Sequence, residues 1–260
     1  MARFSWPTGV KSYARSVGYA NIESHTPNTP RTRFGIASIT KQFTALLVLQ
    51  QAAEGKILLQ GRVSDYLPWY RKDTGTRMTI EQLLHHTSGL PLDFDSPEFS
   101  ATPEATHRYE HQEFAEKFCQ PPVTSQPSTR WEYSNCGCNL LGLILEHVTG
   151  VPFDTLLHQR ILDALDRRDS GMDRNDLPQP GGATGYLRHA GPRYTFGPYL
   201  DRIHGFCSGS MSSTAEDLYQ WNQAWLVPSR RIASHIALTA LLVVMITLPI
   251  WVASRRKRTA

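Results

Sequence analysis

The sequence predicts an α+β protein in which a domain, residues 1–226, is followed by a short tail, residues 227–260. Apolar helical runs at residues 38–55 and within residues 130–150 alternate with short extended segments and with loops rich in Pro, Gly and Thr. An uncharged stretch at residues 236–253, flanked by basic clusters, sets the tail apart from the domain. Helices mixed with weak strands, without repeats, are typical of the α+β class.

The charge distribution argues against a nucleic-acid partner. Of the 27 Lys and Arg residues, six follow Leu226, whereas all 23 Asp and Glu residues precede it, so the net charge of +4 arises in the tail. Residues 1–226 carry 21 basic and 23 acidic side chains. A domain this close to neutral lacks the basic surface that nucleic-acid binding requires. We therefore expect no nucleic-acid partner.

The tail is predicted to contain a single-pass membrane helix. Residues 236–253 are 18 positions without a charge, just enough to span a bilayer, and Trp251 suits the interface. A buried core helix is the alternative. The larger basic cluster, residues 255–258, follows this run, and the positive-inside rule then places the tail in the cytoplasm and the domain outside. Residues 1–17 contain no apolar run of the kind found in signal peptides, so we expect no export signal. A domain outside the membrane would ordinarily need one, so the side of the membrane stays open.

The four cysteines, Cys119, Cys136, Cys138 and Cys207, lack a convincing metal-binding spacing. Cys136 and Cys138 stand closer together than the usual C-x-x-C pair. We therefore predict free or buried thiols and no metal site, and we infer no redox compartment.

The first helix is predicted over residues 38–55. Apolar side chains between Phe43 and Leu49 form one face, and Gly55 suits a left-handed C-cap. Ser38 and Lys41 are three residues apart and therefore lie on one face, which places a hydroxyl beside an amine, one way to activate a weak nucleophile. Taken alone this pattern is weak, because Ser is a common N-cap and Lys a common helix residue.

The other predicted elements are short helices separated by loops. Their evidence is of two kinds: capping boxes at Thr79–Gln82 and Ser213–Glu216, and apolar side chains at helical spacing. In chain order we predict an extended segment (8–24), a loop (25–33), a short extended segment and turn after Gly55, helices at 79–84, 113–118, 130–150, 153–166 and 213–225, and loops with weak strands over 167–206.

Four segments in one order carry a resemblance to a known family: FGIASITKQFTA, MTIEQLLHHTSGLP, WEYSNCGCNLLGLILEHVTG and GSMSSTAEDLYQW. Together they resemble the serine β-lactamase and penicillin-binding-protein superfamily, in the class C β-lactamase-like branch with its esterases and D-amino peptidases. The resemblance covers roughly residues 17–226. It implies an antiparallel sheet flanked by helices, a mostly helical subdomain, and an active site between them.

The resemblance also implies roles for four residues. Ser38 is similar to the family's acyl-forming nucleophile and Lys41 to its partner, while Tyr133 resembles the tyrosine that takes part in proton transfer. Asn135 resembles the residue that binds the amide of the substrate's acyl group. Two identities of the base stay open, a neutral Lys41 or a Tyr133 ionised beside a charged Lys41. No metal or organic cofactor is implied.

A histidine base is not expected. His86, in HHTSGLP, matches a turn that the resemblance implies to be structural, and Lys41 and Tyr133 already fill the role that histidine has in a Ser-His-Asp triad.

The sequence departs from the family after the fourth segment. The family's third motif, K-T-G or H-x-G on a later strand, supplies part of the oxyanion hole, and nothing after Trp225 matches it. Lys72–Gly75 reads K-D-T-G and therefore does not match K-T-G. His189–Gly191 reads H-A-G, but it precedes the fourth segment, so its place in the chain order does not match the third motif. We therefore expect a chain that lacks the C-terminal sheet strands, either truncated or completed by a partner.

These observations leave more than one functional hypothesis. The first is a serine hydrolase that acts through an acyl-enzyme on an ester, a D-amino peptide or a β-lactam, with a small-molecule or peptide substrate as its partner. The alternative is a non-catalytic, membrane-tethered binding or sensor module, or a truncated inactive family member.

Overall fold

The computed structural model describes residues 2–5, 11–91, 97–173, 181–189, 194–197 and 201–226. The predicted membrane helix, residues 236–253, lies outside these residues with the rest of the tail. Within the described ranges, no single helix has both the length and the apolar content to cross a bilayer; the bent pair Asn135–Thr149 and Phe153–Leu165 meets the criteria only when its halves are joined.

The described helices contain more residues than the described strands, and most of these strands are short. The helices are α1 Thr40–Ala53, α2 Val63–Tyr66, α3 Lys72–Gly75, α4 Ile80–Leu84, α5 Pro97–Ser100, α6 His111–Phe118, α7 Asn135–Thr149, α8 Phe153–Leu157, α9 Phe206–Gly209 and α10 Ala215–Leu226, with 3₁₀ turns at Ala37–Ile39, Pro103–Ala105 and Asp163–Leu165 and a π turn at His158–Leu162. The strands are β1 Ala2–Ser5, β2 Lys11–Ala14, β3 Tyr19–Asn21, β4 Thr26–Pro27, β5 Phe34–Gly35, β6 Gly171–Met172, β7 Tyr186–Arg188, β8 Tyr194–Phe196 and β9 Met211–Ser213.

Helices α1 and α7 pack against each other at the centre of the core. Every residue of α7 from Asn135 to Leu145 is buried, because α1, α4, α6 and α9 surround it. The predicted apolar face therefore belongs to a helix that is buried all round up to Leu145 and partly exposed in its last turn. At Gly142 an added Cβ would lie 2.1 Å from Cys207 Sγ, so only glycine lets α9 approach this closely.

The strands pair antiparallel, as the resemblance implies. Strand β9 is central in a three-stranded sheet of order β5-β9-β6, with Phe34 opposite Ser213 and Gly171 opposite Ser212. The other described strands form three separate two-stranded sheets: β1 with β2, β3 with β4, and β7 with β8. The three-stranded sheet positions the site, because β5 leads directly into the turn before α1.

Several helix ends are those predicted from the sequence. Gly55 and Gly150 follow α1 and α7 with φ of +72° and +67°, the left-handed conformation that glycine adopts without strain. The capping box at the start of α4 is reciprocal: the Gln82 N–H donates to Thr79 Oγ1 at 3.2 Å, and the Thr79 N–H donates to Gln82 Oε1 at 2.9 Å.

Two local predictions were wrong. The cap of α10 is Thr214, whose Oγ1 accepts from the Asp217 N–H at 3.1 Å, because Ser213 is taken up by strand β9. Residues 56–68, predicted to be a short extended segment and a turn, contain the helical turn α2. There the Asp65 carboxylate accepts from the Arg62 N–H at 2.7 Å, a side-chain bond that favours a helix start over a strand.

The prediction of free or buried thiols was wrong for two of the four cysteines. Cys119, just after α6, and Cys136, in the first turn of α7, form a disulfide, while Cys138 and Cys207 are buried thiols. The spacing of the cysteines does not show that the end of α6 packs beside the start of α7, and it is this packing that brings the two sulfurs together.

The disulfide is expected to stabilise the fold. It closes a loop of 17 residues, and removal of such a cross-link costs about 3 kcal/mol through the entropy of the unfolded chain. We expect the double variant Cys119→Ala/Cys136→Ala to lose about this much free energy of unfolding in urea. Cys138→Ala, which removes a buried thiol outside the disulfide, is the matched control and should cost about 1 kcal/mol. Equal losses in the two proteins would contradict a stabilising disulfide.

Candidate active site

Ser38 lies in the tight turn between strand β5 and helix α1. The turn is a single 3₁₀ turn, Ala37–Ile39, and Ala37 has a φ of +45°, unusual for a residue with a side chain. A hydrogen bond from the Ile36 N–H to the Met211 carbonyl, at 2.9 Å, ties the turn to the central strand. The turn leaves Ser38 exposed, next to the partial positive charge of the α1 N-terminus.

Lys41 is buried and donates three hydrogen bonds. Its Nζ contacts Ser38 Oγ at 3.3 Å, Asn135 Oδ1 at 2.8 Å and the carbonyl oxygen of Ser208 at 2.8 Å. Three donated bonds match the three N–H groups of an ammonium, whereas a neutral amine has only two. Lys41 therefore links the Ser38 turn to the start of α7 and to α9.

The phenol of Tyr133 meets the hydroxyl of Ser38. The two oxygens are 2.7 Å apart, a normal O–H···O hydrogen bond in which either group can be the donor. Lys41 Nζ lies 4.7 Å from the centre of the Tyr133 ring. A cation at this place stabilises negative charge on the phenol oxygen.

The structure brings together all four residues singled out in the sequence. Ser38 and Lys41 meet because they are one helical turn apart, and Tyr133 and Asn135 reach them from the start of α7. The Ser134 side chain caps that helix by accepting from the Gly137 N–H at 3.2 Å, which fixes the backbone between Tyr133 and Asn135.

The sequence did not indicate that backbone carbonyl groups of the α9 turn contribute hydrogen bonds to the site. The Ser208 carbonyl accepts from Lys41, and the neighbouring Cys207 carbonyl accepts from Thr44 Oγ1 at 2.6 Å. Backbone carbonyls carry no residue-type signal. The available hint was the position of Ser208 at the edge of the segment GSMSSTAEDLYQW, within the family resemblance.

A cleft of about 250 Å³ opens beside Ser38. It is large enough for an amino-acid-sized group but smaller than most drug-sized ligand sites. Polar backbone and side-chain groups mix with the rings of Phe99 and His204 in its wall. The lining residues are Ala37, Ser38, Phe99, Ser100, Asn135, Asp201, Arg202, His204, Gly205, Ser208, Gly209 and Ser210.

His86 lies against Tyr133, which agrees with the structural role expected for it. Its ring centre is 4.7 Å from that of Tyr133, and its Nδ1 accepts from the Ser134 N–H at 3.4 Å. Burial lowers the pKa of His86 to about 3, and the charges of Lys41 and His85 act in the same direction. His86 is therefore neutral at physiological pH.

The pKa of His86 predicts a loss of stability in acid. The unfolded chain binds a proton on this side chain near its ordinary pKa of about 6.5, whereas the folded chain binds one only near pH 3. As the pH falls between these values, protonation therefore stabilises the unfolded state relative to the folded state. We expect this group to remove on the order of 4 kcal/mol of unfolding free energy across that window. Urea unfolding at a series of pH values measures the change. A His86→Asn protein with an equally steep decline would contradict this origin.

Lys72–Gly75 and His189, from the two sequence matches set aside above, are not among the described residues that line the Ser38 cleft. Lys72–Gly75 forms helix α3 and not a strand. His189 is exposed next to β7, where its Nε2 contacts Thr195 Oγ1 at 2.8 Å. In the part of the chain that the structure describes, no cluster of three or more His, Cys, Asp or Glu side chains could hold a metal ion.

Comparison with known proteins places this chain and its fold in one family. The family model described as Beta-lactamase matches residues 4–244. Protein flp of Staphylococcus aureus (strain MW2) is 27% identical over 225 residues, which cover 85% of this chain and 44% of that protein. The chain therefore spans less than half the length of this curated relative.

Two solved structures are similar along most of the chain. A penicillin binding protein from Bacillus halodurans has a TM-score of 0.77 at 30% identity, covering 88% of this chain and 69% of that one. The D-amino acid amidase from Ochrobactrum anthropi SV3, complexed with L-phenylalanine amide, has a TM-score of 0.73 at 28% identity, covering 85% and 63%. The resemblance seen in the four segments is confirmed: this chain has the β-lactamase/transpeptidase-like α+β fold and belongs to the beta-lactamase family, in its class C-like branch.

Proposed function

We propose that this chain is a serine hydrolase that forms an acyl-enzyme on Ser38. The observation that carries the proposal is the position of the Ser38 oxygen, 2.7 Å from the Tyr133 hydroxyl and 3.3 Å from Lys41 Nζ. A hydroxyl is a weak nucleophile until a neighbouring base takes its proton. Here a candidate base and a cation both contact the same oxygen, which is exposed at the edge of a cleft.

Tyr133 acts as the base and Lys41 as the charged group that assists it. Tyr133, as phenolate, takes the proton of Ser38 while Oγ attacks the carbonyl carbon of the substrate. The bond from that carbon to the leaving group then breaks, and the proton passes from the Tyr133 phenol to the leaving nitrogen or oxygen. Water cleaves the resulting ester, releasing the acid and restoring the Ser38 hydroxyl. Lys41 remains an ammonium throughout and stabilises the phenolate.

Asn135 orients the acyl group. Its Oδ1 accepts from Lys41, so its Nδ2 amide is the end that can donate to a carbonyl of the substrate. Asn135 lines the same cleft as Ser38, which supports this role.

The substrate class we favour is an amino acid amide or a short peptide. The Ochrobactrum relative is a D-amino acid amidase complexed with an amino acid amide, and a cleft of about 250 Å³ is of the right size for one amino-acid side chain. Esters and β-lactams present the same electrophilic carbonyl to Ser38 and are the other acyl donors to be tried.

Intact-mass analysis of the full chain tests the proposal. The protein is incubated separately with a fluorophosphonate, a penicillin and D-phenylalanine amide, and adducts are mapped by peptide sequencing. We expect one adduct, on Ser38, from the fluorophosphonate, and release of ammonia from the amide. A cooperatively folded protein that forms no adduct would instead support the non-catalytic binding module.

A further inference from the structure

His86 bonds to the chain on both sides of Tyr133. Its backbone carbonyl accepts from the Glu132 N–H at 2.8 Å. Its ring Nδ1 accepts from the Ser134 N–H at 3.4 Å. Glu132 and Ser134 are the two neighbours of Tyr133, so one residue holds the backbone immediately before and immediately after the proposed base.

The ring of His86 also contacts the ring of Tyr133. The ring centres are 4.7 Å apart and the planes are tilted by 33°. Lys41 Nζ lies 4.7 Å from the same Tyr133 ring, and Ser38 Oγ lies 2.7 Å from its hydroxyl. The position of the phenol oxygen over Ser38 is therefore set by contacts at the ring and by two backbone hydrogen bonds, and His86 makes three of these contacts.

The backbone of His86 adopts a conformation that makes these contacts possible. It follows α4 with a φ of +56°, in the left-handed region. His and Asn occupy this region more readily than most residues with a side chain. Bonds from the His86 N–H to the Leu83 carbonyl and from the Thr87 N–H to the Gln82 carbonyl, at 3.2 and 2.9 Å, close the end of α4 around this turn.

The bond to Ser134 defines the chemical form of the His86 ring. A nitrogen that accepts a hydrogen bond carries no proton, so Nδ1 is unprotonated and the ring is neutral with its proton on Nε2. His86 is only 6% exposed, and its burial favours this neutral form. It consequently acts here as an acceptor and a packing surface and takes no proton from Ser38.

We propose that His86 is a positioning residue that sets the place of the Tyr133 hydroxyl relative to Ser38. This inference rests on the proposed acyl-enzyme chemistry, in which Tyr133 is the base. Misplacing a catalytic group by about 1 Å costs on the order of 100-fold in rate. The loss appears in the acylation step, because the cleft that binds the substrate is lined by other residues.

Two substitutions separate the contacts of His86. His86→Phe keeps a ring against Tyr133 but removes the acceptor for the Ser134 N–H. His86→Asn puts an amide oxygen near the place of Nδ1 and tolerates the positive φ, so it keeps the acceptor and loses most of the ring. His85→Asn, at the half-buried neighbouring position, is the matched control.

The maximal acylation rate and the half-saturating concentration of an activated ester are measured for each folded variant. We expect His86→Phe to lower the maximal rate about 100-fold without changing the half-saturating concentration, and His86→Asn to recover most of that rate. His85→Asn should behave as the wild type. Wild-type rates in both His86 variants, equal losses in both, or a change confined to the half-saturating concentration would each overturn the proposal.

A spectroscopic readout distinguishes failure of this inference from failure of the proposed function. Tyrosine labelled with ¹³C at Cζ reports the surroundings of each phenol, and Tyr133→Phe assigns the Tyr133 signal. We expect the signal to move in His86→Phe and to stay near its wild-type position in His86→Asn. An unmoved signal in both variants would overturn the positioning role. If wild-type protein forms no adduct on Ser38, the proposed function fails, and this signal still decides whether His86 positions Tyr133.

Discussion

Replacing Ser38 by alanine is expected to abolish covalent labelling of the chain by a fluorophosphonate and all turnover of acyl substrates. Ser38 Oγ is the atom that forms the acyl bond in the proposed mechanism, and no base or cation can compensate for its loss. Because Ser38 is exposed in a surface turn, the substitution should leave the free energy of unfolding within about 0.5 kcal/mol of wild type. Intact-mass analysis and urea unfolding of the same samples check both statements.

Ser100→Ala is the matched control for Ser38→Ala. Ser100 lines the same cleft and carries the same hydroxyl, but it does not carry the acyl group in the proposed mechanism. We expect the fluorophosphonate to label the Ser100→Ala protein on Ser38 as it labels the wild type. A Ser38→Ala protein that still gains one adduct, mapped to α1 or to the cleft, would show that another residue is the nucleophile.

Replacing Tyr133 by phenylalanine should slow acylation by about 10²–10⁴-fold, the range that a general base contributes. The ring and its contact with His86 remain, so the substitution removes the hydroxyl beside Ser38 and little else. Substrate binding should change little, because Tyr133 is not among the residues that line the cleft. Stopped-flow measurement of the acylation rate against ester concentration separates the two effects.

Tyr109→Phe offers a control with the same chemistry. The Tyr109 hydroxyl accepts from Lys117 Nζ at 2.8 Å, and the ammonium lies 5.0 Å from its ring, so this is a second tyrosine–lysine pair. It is not part of the Ser38 cleft. We expect normal acylation in Tyr109→Phe. Comparable acylation rates in Tyr133→Phe and wild type would remove Tyr133 from the mechanism and return the role of base to Lys41.

The sequence left two identities of the base open, and the proposed mechanism uses one of them. A neutral Lys41 would need to accept the Ser38 proton. In the structure Lys41 Nζ lies within hydrogen-bond distance of three acceptors, two of which, Asn135 and Ser208, belong to other elements. Three acceptors match the three N–H groups of an ammonium, which supports the proposal that Tyr133 is the base.

Features that depend on neighbours within one or two helical turns could be predicted from the sequence. Ser38 and Lys41 meet because three residues separate them on a helix. The ends at Gly55 and Gly150, and the capping box that begins at Thr79, are likewise local, since each satisfies backbone groups of its own helix. The roles of Tyr133 and Asn135 were predicted from the family resemblance alone. Nearly 100 residues separate them from Ser38, and such a separation does not indicate whether residues lie close together.

Contacts between distant elements could not be predicted in this way, because they depend on how the helices and strands pack. The Ser208 carbonyl that receives Lys41 has no signature in the sequence, since every residue has a carbonyl and its direction depends on the α9 turn. The Cys119–Cys136 disulfide depends on α6 ending beside the start of α7, and a disulfide requires its two Cα atoms to lie within about 7 Å. The place of His86 behind Tyr133 depends on the turn after α4. Packing brings these groups together, and it depends at once on side chains from many distant segments of the chain, which a local sequence pattern does not describe.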